Sequence, residues 1–220
     1  IQAVYDIKDP SCPNHPYPVP TSNPGISVEL KGLVVTANFV VNKTDGMFVQ
    51  DPMGGPFSGV AIFKGPKLLG EIQVGDLVDV KGSLTDYFGQ LQISLEGDGS
   101  VEKVGSAGAE PEPFDISHPS HVASDGPVAE AYNGVLIRVQ GLTVVDTRPD
   151  CPHEWGEFLV RGEPEAPGTY GLRVDDMGDW TEYAPEVGDT ISAITGPLAY
   201  AFENHKIEPR YDADIEVLTK

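Results

Sequence analysis

The 220-residue sequence predicts an all-β protein made of two similar units. Its 25 glycines and 20 prolines interrupt helices and mark turns, which favours short strands. The 40% hydrophobic and 22% charged fractions are those of a globular chain, so collagen, coiled coil and wholesale disorder are excluded. Segments of the second half also repeat segments of the first half in the same order, about 110 residues later.

Four blocks carry this internal repeat, and each returns with only small changes of spacing. The blocks at 32–35, 46–51, 74–76 and 82–93 return at 141–144, 156–161, 187–189 and 196–207. Because four matches in one order are improbable by chance, the sequence predicts two copies of a single folding unit. Phe48 and Phe158 are repeat equivalents, which favours a core position for both.

In the first unit, strands are expected near 28–40, 46–51, 58–64, 76–86 and 90–95, each bounded by Gly, Pro, Asn or Asp. Val78 and Val80 alternate with Leu77, Asp79 and Lys81, which is the period of a strand with one buried face. Two glycines and a proline between Gly65 and Val74 leave room for at most one helical turn.

In the second unit, the strand near Thr190–Thr195 has Ile194 out of phase with Ile191, which predicts a β-bulge. The chain therefore divides into an N-terminal arm (1–25), a first unit (26–105), a Pro- and Gly-rich linker (106–132) and a second unit (133–220). We expect one strand in the arm, Ala3–Ile7, and we expect the arm to lie across both units.

Five short strands, a long first strand and no sizeable helix after the third strand match the OB-fold, a five-stranded Greek-key barrel. The predicted fold is thus all-β, with two tandem OB-like five-stranded Greek-key barrels, an N-terminal arm and very little helix.

Several segments resemble the OB-like repeats of secreted bacterial lipoproteins and extracellular nucleases of the myxobacterial and marine type. These segments are 48–60, 74–76, 82–88, 132–139, 156–158, 172–176 and 187–210, and the resemblance covers nearly all of the chain from Tyr5 onward. It implies an exported, lipoprotein-like protein with an accessory binding role. In the nuclease members a separate catalytic domain follows, so the resemblance transfers no catalytic residue. A start at Ile1 without Met adds the expectation of a removed signal peptide.

The formal net charge of −20 repels phosphate backbones and anionic lipid, so nucleic acid is a disfavoured partner. Two interpretations of the acidity remain open: a solubilising surface, or divalent-cation binding. No run of about 20 apolar residues occurs, so no membrane span is predicted.

Cys12 and Cys151 are the only cysteines, and each is followed by proline and a nearby histidine. In an exported protein they would form a disulfide that closes a loop of 139 residues. The alternatives are a zinc site with His15 and His153, or two free thiols.

Two further groups of side chains are candidates for a metal. Asp175, Asp176 and Asp179 are oxygen ligands that calcium accepts, although they do not follow the twelve-residue calcium-loop pattern, and a solvated acidic loop is the alternative. The pair His118 and His121 is read as surface histidine because a proline separates them. No resident cofactor is expected beyond these calcium or zinc options.

For a ligand on the outside of the barrels, the candidates are aromatic and basic side chains near the second and third strands of each unit. They are Trp155, Tyr170, Arg161, Arg173 and Lys64, and Trp155 has no repeat equivalent, which favours ligand contact over packing. The sequence contains no nucleophile elbow, phosphate loop or zinc-protease helix motif, and we expect a protein that is not an enzyme. The predicted function is an exported module that binds a macromolecule or glycan. The alternatives are a nucleic-acid-positioning part of a nuclease system and a calcium- or zinc-binding surface protein.

Overall fold

The computed structural model describes residues 3–22, 24–41, 44–65, 72–163, 171–177 and 182–219. Within these ranges the helices are short: α1 (Val4–Lys8), α2 (Ala129–Tyr132) and 3-10 turns at Pro119–His121 and Asp212–Asp214. The strands are β1 (Ile26–Val41), β2 (Thr44–Gln50), β3 (Gly59–Gly65), β4 (Asp76–Tyr87), β5 (Gln90–Ser94), β6 (Ser100–Ser106), β7 (Phe114–Ile116), β8 (Leu136–Asp146), β9 (Phe158–Gly162), β10 (Leu172–Val174), β11 (Thr190–Ala201), β12 (Asn204–Ile207) and β13 (Ile215–Thr219).

Each half of the chain closes a five-stranded barrel. In the first, the order is β1-β2-β3-β5-β4 and β4 pairs back onto β1; in the second, the order is β8-β9-β10-β12-β11 and β11 pairs back onto β8. One pair in each barrel is parallel, β3 with β5 and β10 with β12, and the other pairs are antiparallel. The predicted all-β fold of two OB-like barrels is confirmed.

The two barrels repeat each other in detail. The amide of Gly75 donates to the carbonyl of Val35 at 2.9 Å, and its equivalent Gly188 donates to Val144 at the same distance. Phe88 and Phe202, at equivalent hairpin tips, both have a φ of 51°. These shared hydrogen bonds and dihedral angles follow from the internal repeat in the sequence.

The bulge predicted in the last long strand is also present. Pairing of β11 with β13 shifts register between Thr190 and Ile191 and again between Ile191 and Ala193. Because a bulge places two residues opposite one, it accounts for the out-of-phase Ile194.

Two expectations about the ends of the barrels are wrong. Ala3–Ile7 does not form a strand: Val4–Lys8 is a helical turn that buries Val4 and Ile7, whose i, i+3 spacing places both on one face. Each unit also has more than five strands, since β6 pairs with β4 and β13 pairs with β11. Within the predicted linker, 106–132, Phe114–Ile116 form β7, which pairs with β8.

Each barrel has its own hydrophobic core, and a third cluster lies between the barrels. Phe158 belongs to the core of the second barrel, as predicted. Phe48 is equally buried, but it packs in the third cluster with Phe39 of β1 and Ala199 of β11. The barrels therefore share a buried apolar contact.

Hydrogen bonds complete this junction. Arg210 Nη1 donates to the carbonyl of Thr36 at 3.2 Å, and the Leu136 amide donates to Gln50 Oε1 at 3.0 Å. The N-terminal segment contacts both barrels: the Tyr5 hydroxyl donates to the Gly54 carbonyl at 2.7 Å, and Lys8 Nζ donates to the carbonyl of Asn133, next to the start of β8, at 3.0 Å. Among the residues described, no helix is long and apolar enough to cross a membrane.

Candidate ligand-binding cleft

The loop between β8 and β9, residues 147–157, forms one wall of a surface cleft of about 360 Å³. The cleft is lined by Thr147, Arg148, Pro149, Asp150, His153, Glu154, Trp155, Gly156, Glu157 and Pro185. In OB-fold barrels the faces of strands two and three and the loops beside them are the usual ligand-binding regions. Here β9 and β10 are those strands, so the cleft lies beside them.

Trp155 supplies the largest flat surface of the cleft. Its side chain is 65% exposed, and its indole stacks on the His153 imidazole with ring centroids 5.8 Å apart and an interplanar angle of 27°. Exposing the apolar indole to water costs free energy, and the His153 imidazole stacked on it keeps it in one orientation. The arrangement presents a fixed aromatic face to solvent.

Two salt bridges of Arg173, on β10, hold the loop in place. Arg173 binds both oxygens of Asp150, at 2.7 and 3.0 Å, and its Nη1 also lies 2.8 Å from Glu157 Oε2. These two carboxylates lie on either side of His153 and Trp155 in the chain. The Arg173 guanidinium lowers the pKa of Asp150, mainly through this hydrogen bond, so the carboxylate stays ionised.

A second cation supports the same end of the loop from β12. Lys206 is only 2% exposed, and its Nζ donates to Glu157 Oε1 and, at 3.0 Å, to Asp175 Oδ2. Glu157 therefore receives two cations from two neighbouring strands. The two carboxylates offset the free energy that burying the Lys206 ammonium costs.

Charge in and below the cleft is almost balanced. At the rim, Arg148 Nε lies 2.9 Å from Glu154 Oε1, and both side chains are largely exposed. Below it, Arg173 and Lys206 are paired with carboxylates as described above. Because each cation has an acidic partner, the site offers an aromatic face with carboxylate acceptors and little net field.

Gly156 shows why this loop needs a residue without a side chain. It has a φ of 85°, and a Cβ there would overlap the carboxylate of Asp176. Burial raises the pKa of Asp176, and the negative charge of Asp175 raises it further. The glycine thus lets the acidic segment after β10 pack directly against the Trp155 loop.

The predicted ligand-contact residues do not all line the cleft. Trp155 lies in the cleft and is exposed, whereas Arg173 does not line the cleft and is paired with Asp150 and Glu157 beneath the loop. Arg161 is half-buried on β9 and does not line the cleft. Tyr170 and the side chain of Lys64 lie outside the described residues.

The expected disulfide is not formed. Cys12 lies in the turn after α1, Cys151 lies exposed in the Trp155 loop, and both are free thiols. Cys12 belongs to the N-terminal segment, which Tyr5 and Lys8 hold at the junction of the barrels, and Cys151 belongs to the loop that Arg173 holds on the second barrel.

The structure describes most of the candidate metal ligands, but not Asp179. In the described ranges, no three His, Cys, Asp or Glu side chains come together in a group that would hold a metal ion. His153 stacks on Trp155 and His15 is half-buried on the N-terminal segment, so the proposed zinc set is not assembled. Asp175 binds Lys206, and Asp179 lies outside the described residues.

Sequence reasoning missed the residues that support the cleft. Asp150, Glu157 and Lys206 are common surface residue types, and they come together only because β9, β10 and β12 are neighbours in the barrel. The pattern of β12 does not mark Lys206, since His205, Lys206 and Ile207 are consecutive and all three are buried.

Comparisons with known proteins give little further information. No protein-family model matches the chain. No curated protein matches it either. Among solved structures, a tetrameric p202 HIN2 is similar with a TM-score of 0.34 and 13% identity, over 89% of this chain and 93% of that chain.

A murine DNA-binding protein bound with double-stranded DNA is similar with a TM-score of 0.35 and 9% identity, over 89% of this chain and 100% of that chain. Both scores are too low to carry an argument about this protein.

Proposed function

We propose that the chain is a non-catalytic binding module that takes a neutral glycan in the cleft of the second barrel. The observation that carries this proposal is the Trp155 indole, exposed and backed by His153, beside carboxylates that are held in place. Sugar rings present C–H groups on one face, and these pack on an aromatic ring; their hydroxyls donate to carboxylates.

Charge supports a neutral ligand over a phosphate-bearing one. The chain carries a net charge of −20, and the nearest cations, Arg148, Arg173 and Lys206, are already paired with carboxylates. A phosphate backbone would have to displace those partners, and the net negative charge of the whole chain would repel it as it approaches. A glycan needs no such displacement.

The direct test is titration of the intact protein with a panel of neutral oligosaccharides, followed by tryptophan fluorescence and calorimetry. Trp155→Ala should weaken binding at least about fivefold, because an aromatic stacking partner contributes about 1 kcal/mol or more. Phe88→Ala is the matched control, since Phe88 is an exposed aromatic residue, 83% accessible, on the first barrel. Equal affinity of the wild type and Trp155→Ala would contradict this site, and no binding to any panel member would contradict the ligand class.

The alternative is a nucleic-acid-positioning role, which OB-fold barrels perform in other proteins. Titration with labelled single-stranded DNA at low and moderate salt distinguishes the two. A steep loss of affinity as salt rises would favour nucleic acid, because release of counterions drives such binding. The glycan proposal predicts no DNA binding at low salt.

We also propose that the protein is exported and that its two barrels are separate domains. The acidic composition and the resemblance to secreted lipoproteins and nucleases support export. Fractionation of the cells that produce the protein, with immunodetection in cytosol, envelope and medium, tests this. Recovery in the cytosol would contradict it.

A further inference from the structure

A second cleft, of about 490 Å³, lies where the two barrels meet. Its lining residues are Phe57 from the first barrel, the segment 125–131, and Tyr200 and His205 from the second barrel. The Phe57 amide donates to the Ala131 carbonyl at 2.5 Å, which fixes the floor of the junction. Such a volume at an interface between domains is typical of small-molecule sites.

The junction cleft combines aromatic and polar side chains, and two of its residues have unusual backbone conformations. Phe57 and Asp125 both have a φ of 63°, which is rare for residues other than glycine and rarest for bulky ones. Tyr200 and His205 are register partners on β11 and β12, and their rings meet edge to face at 4.8 Å. Strained residues of this kind gather at binding sites more often than elsewhere.

His205 is a buried polar side chain in the lining of the cleft. It is 5% exposed, and neither ring nitrogen has a hydrogen-bond partner in the described protein. Burial lowers its pKa to about 4, helped by the nearby Lys8, so the ring is neutral near pH 7. A neutral imidazole offers one N–H donor and one acceptor, and leaving both unsatisfied in a buried site costs free energy.

Neighbouring charges decide what kind of ligand fits. Glu130 Oε1 lies 3.9 Å from His205 Nε2, and the Glu130 side chain is 71% exposed and free to turn aside. Asp125 is the other carboxylate of the rim, and together the two disfavour anions. Lys8, whose Nζ binds the Asn133 carbonyl, is positively charged and therefore disfavours a cationic ligand next to the imidazole.

We propose that the junction cleft is a second binding site, for a small neutral ring compound whose amide or hydroxyl group bonds to the His205 imidazole when Glu130 turns away. The ring packs against Phe57 and Tyr200. This site is independent of the Trp155 cleft, and neither proposal requires the other.

The test uses four probes with one ring and different heads: benzamide, toluene, benzoate and benzylammonium. Nitrogen-15 NMR of the histidine side chains in the intact wild-type protein reports contact with His205. Benzamide at millimolar concentration should shift the His205 signals, and it should bind at least about tenfold more tightly than each of the other three. Tighter binding of benzoate or benzylammonium, or no shift with benzamide, would overturn the proposal.

A pair of variants tests the role of the nitrogens. His205→Phe keeps a ring and removes both nitrogens, so its affinity for benzamide should fall to that of toluene. His15→Phe is the matched control, because His15 lies half-buried on the N-terminal segment outside the cleft, and its benzamide affinity should be unchanged. Unchanged benzamide affinity in His205→Phe would overturn the proposal. If that variant does not fold, the four-probe ranking on the wild type decides the question.

Discussion

Gln90 on β5 donates a hydrogen bond of 2.8 Å from its Nε2 to Oδ1 of Asn133, which lies just before β8. The same amide accepts the Tyr200 N–H at 2.7 Å through its Oε1. One buried side chain of the first barrel therefore satisfies two groups of the second. The Asn133 carbonyl accepts in turn from Lys8, so the N-terminal helix, the first barrel and the second barrel meet at one residue.

Replacing Gln90 with leucine should destabilise the protein by about 2–4 kcal/mol, because two buried polar groups would each lose a partner. Urea unfolding monitored by fluorescence measures the change in the free energy of unfolding. Gln140→Leu is the control: its bond to Asp115 is exposed, and its expected effect is within about 0.5 kcal/mol. An unchanged midpoint for Gln90→Leu would show that the junction does not depend on this amide.

The architecture of the barrels was readable from sequence because it depends on short-range patterns. The alternation around Val78 and Val80, the glycines at turns and the out-of-phase Ile194 each report on a local strand or bulge. Because the internal repeat shows these patterns twice, it strengthened the prediction of the barrel fold. Strand order followed from the fold class.

The junction and the supported cleft were not readable in this way. Arg173 and Lys206 contact Glu157 only because three strands become neighbours in the folded barrel. The separation of these residues along the chain does not indicate that contact. The N-terminal helix was mistaken for a strand because Val4 and Ile7 are too few to establish a period. Trp155 was the exception, since the lack of a repeat equivalent marked it as unnecessary for barrel packing.

Arg173→Met should loosen the Trp155 loop while leaving the barrel folded. The substitution removes the cation that binds Asp150, whose side chain is 32% exposed, whereas Glu157 keeps Lys206, so we expect a cost of about 1–3 kcal/mol. Hydrogen–deuterium exchange should therefore quicken across residues 147–157. Arg138→Met is the control, because its ion pair with Glu216 is largely exposed. Equal exchange of the loop in both variants would contradict the positioning role.

Acidification should weaken the protein through His205. Its pKa is about 4 in the folded state and about 6.5 in the unfolded state. Between these pH values the unfolded chain binds more protons, so this contribution to stability is intact above pH 6.5 and is lost as the pH falls toward 4. The charges that face the ring are Lys8, Asp125 and Glu130, and the loss at the acidic limit is up to about 3 kcal/mol.

The measurement compares the free energy of unfolding at pH 7 and pH 4.5 in the wild type and in His205→Phe. Other groups titrate equally in both proteins, so the difference between the two isolates His205. The variant should lose less stability on acidification than the wild type. An identical pH dependence would show that His205 is not protonated on unfolding.

The duplication makes a prediction about pairs of glycines. At Gly82, a Cβ would lie 2.5 Å from Ile93 Cγ2 and 2.7 Å from the Ser94 carbonyl oxygen, and at its equivalent, Gly196, a Cβ would overlap the Glu208 carbonyl. Displacing either backbone oxygen would disturb the barrel, since each belongs to a residue in or directly after a barrel strand. Gly82→Ala and Gly196→Ala should therefore each destabilise the protein by about 1–3 kcal/mol or more.

The contrasting pair is Gly32 and Gly141, which share a φ of 65° and have no atom within 4 Å of a Cβ. Alanine at these positions meets open space and only adopts a left-handed conformation, at a cost of about 1–2 kcal/mol. Asparagine tolerates that conformation better than alanine. Gly32→Asn and Gly141→Asn should therefore be milder than the alanine variants, whereas Gly82→Asn and Gly196→Asn should be worse. Thermal unfolding of the eight variants measures their losses of stability. Because the two barrels share their backbone conformation, the variants should rank in the same order in both barrels.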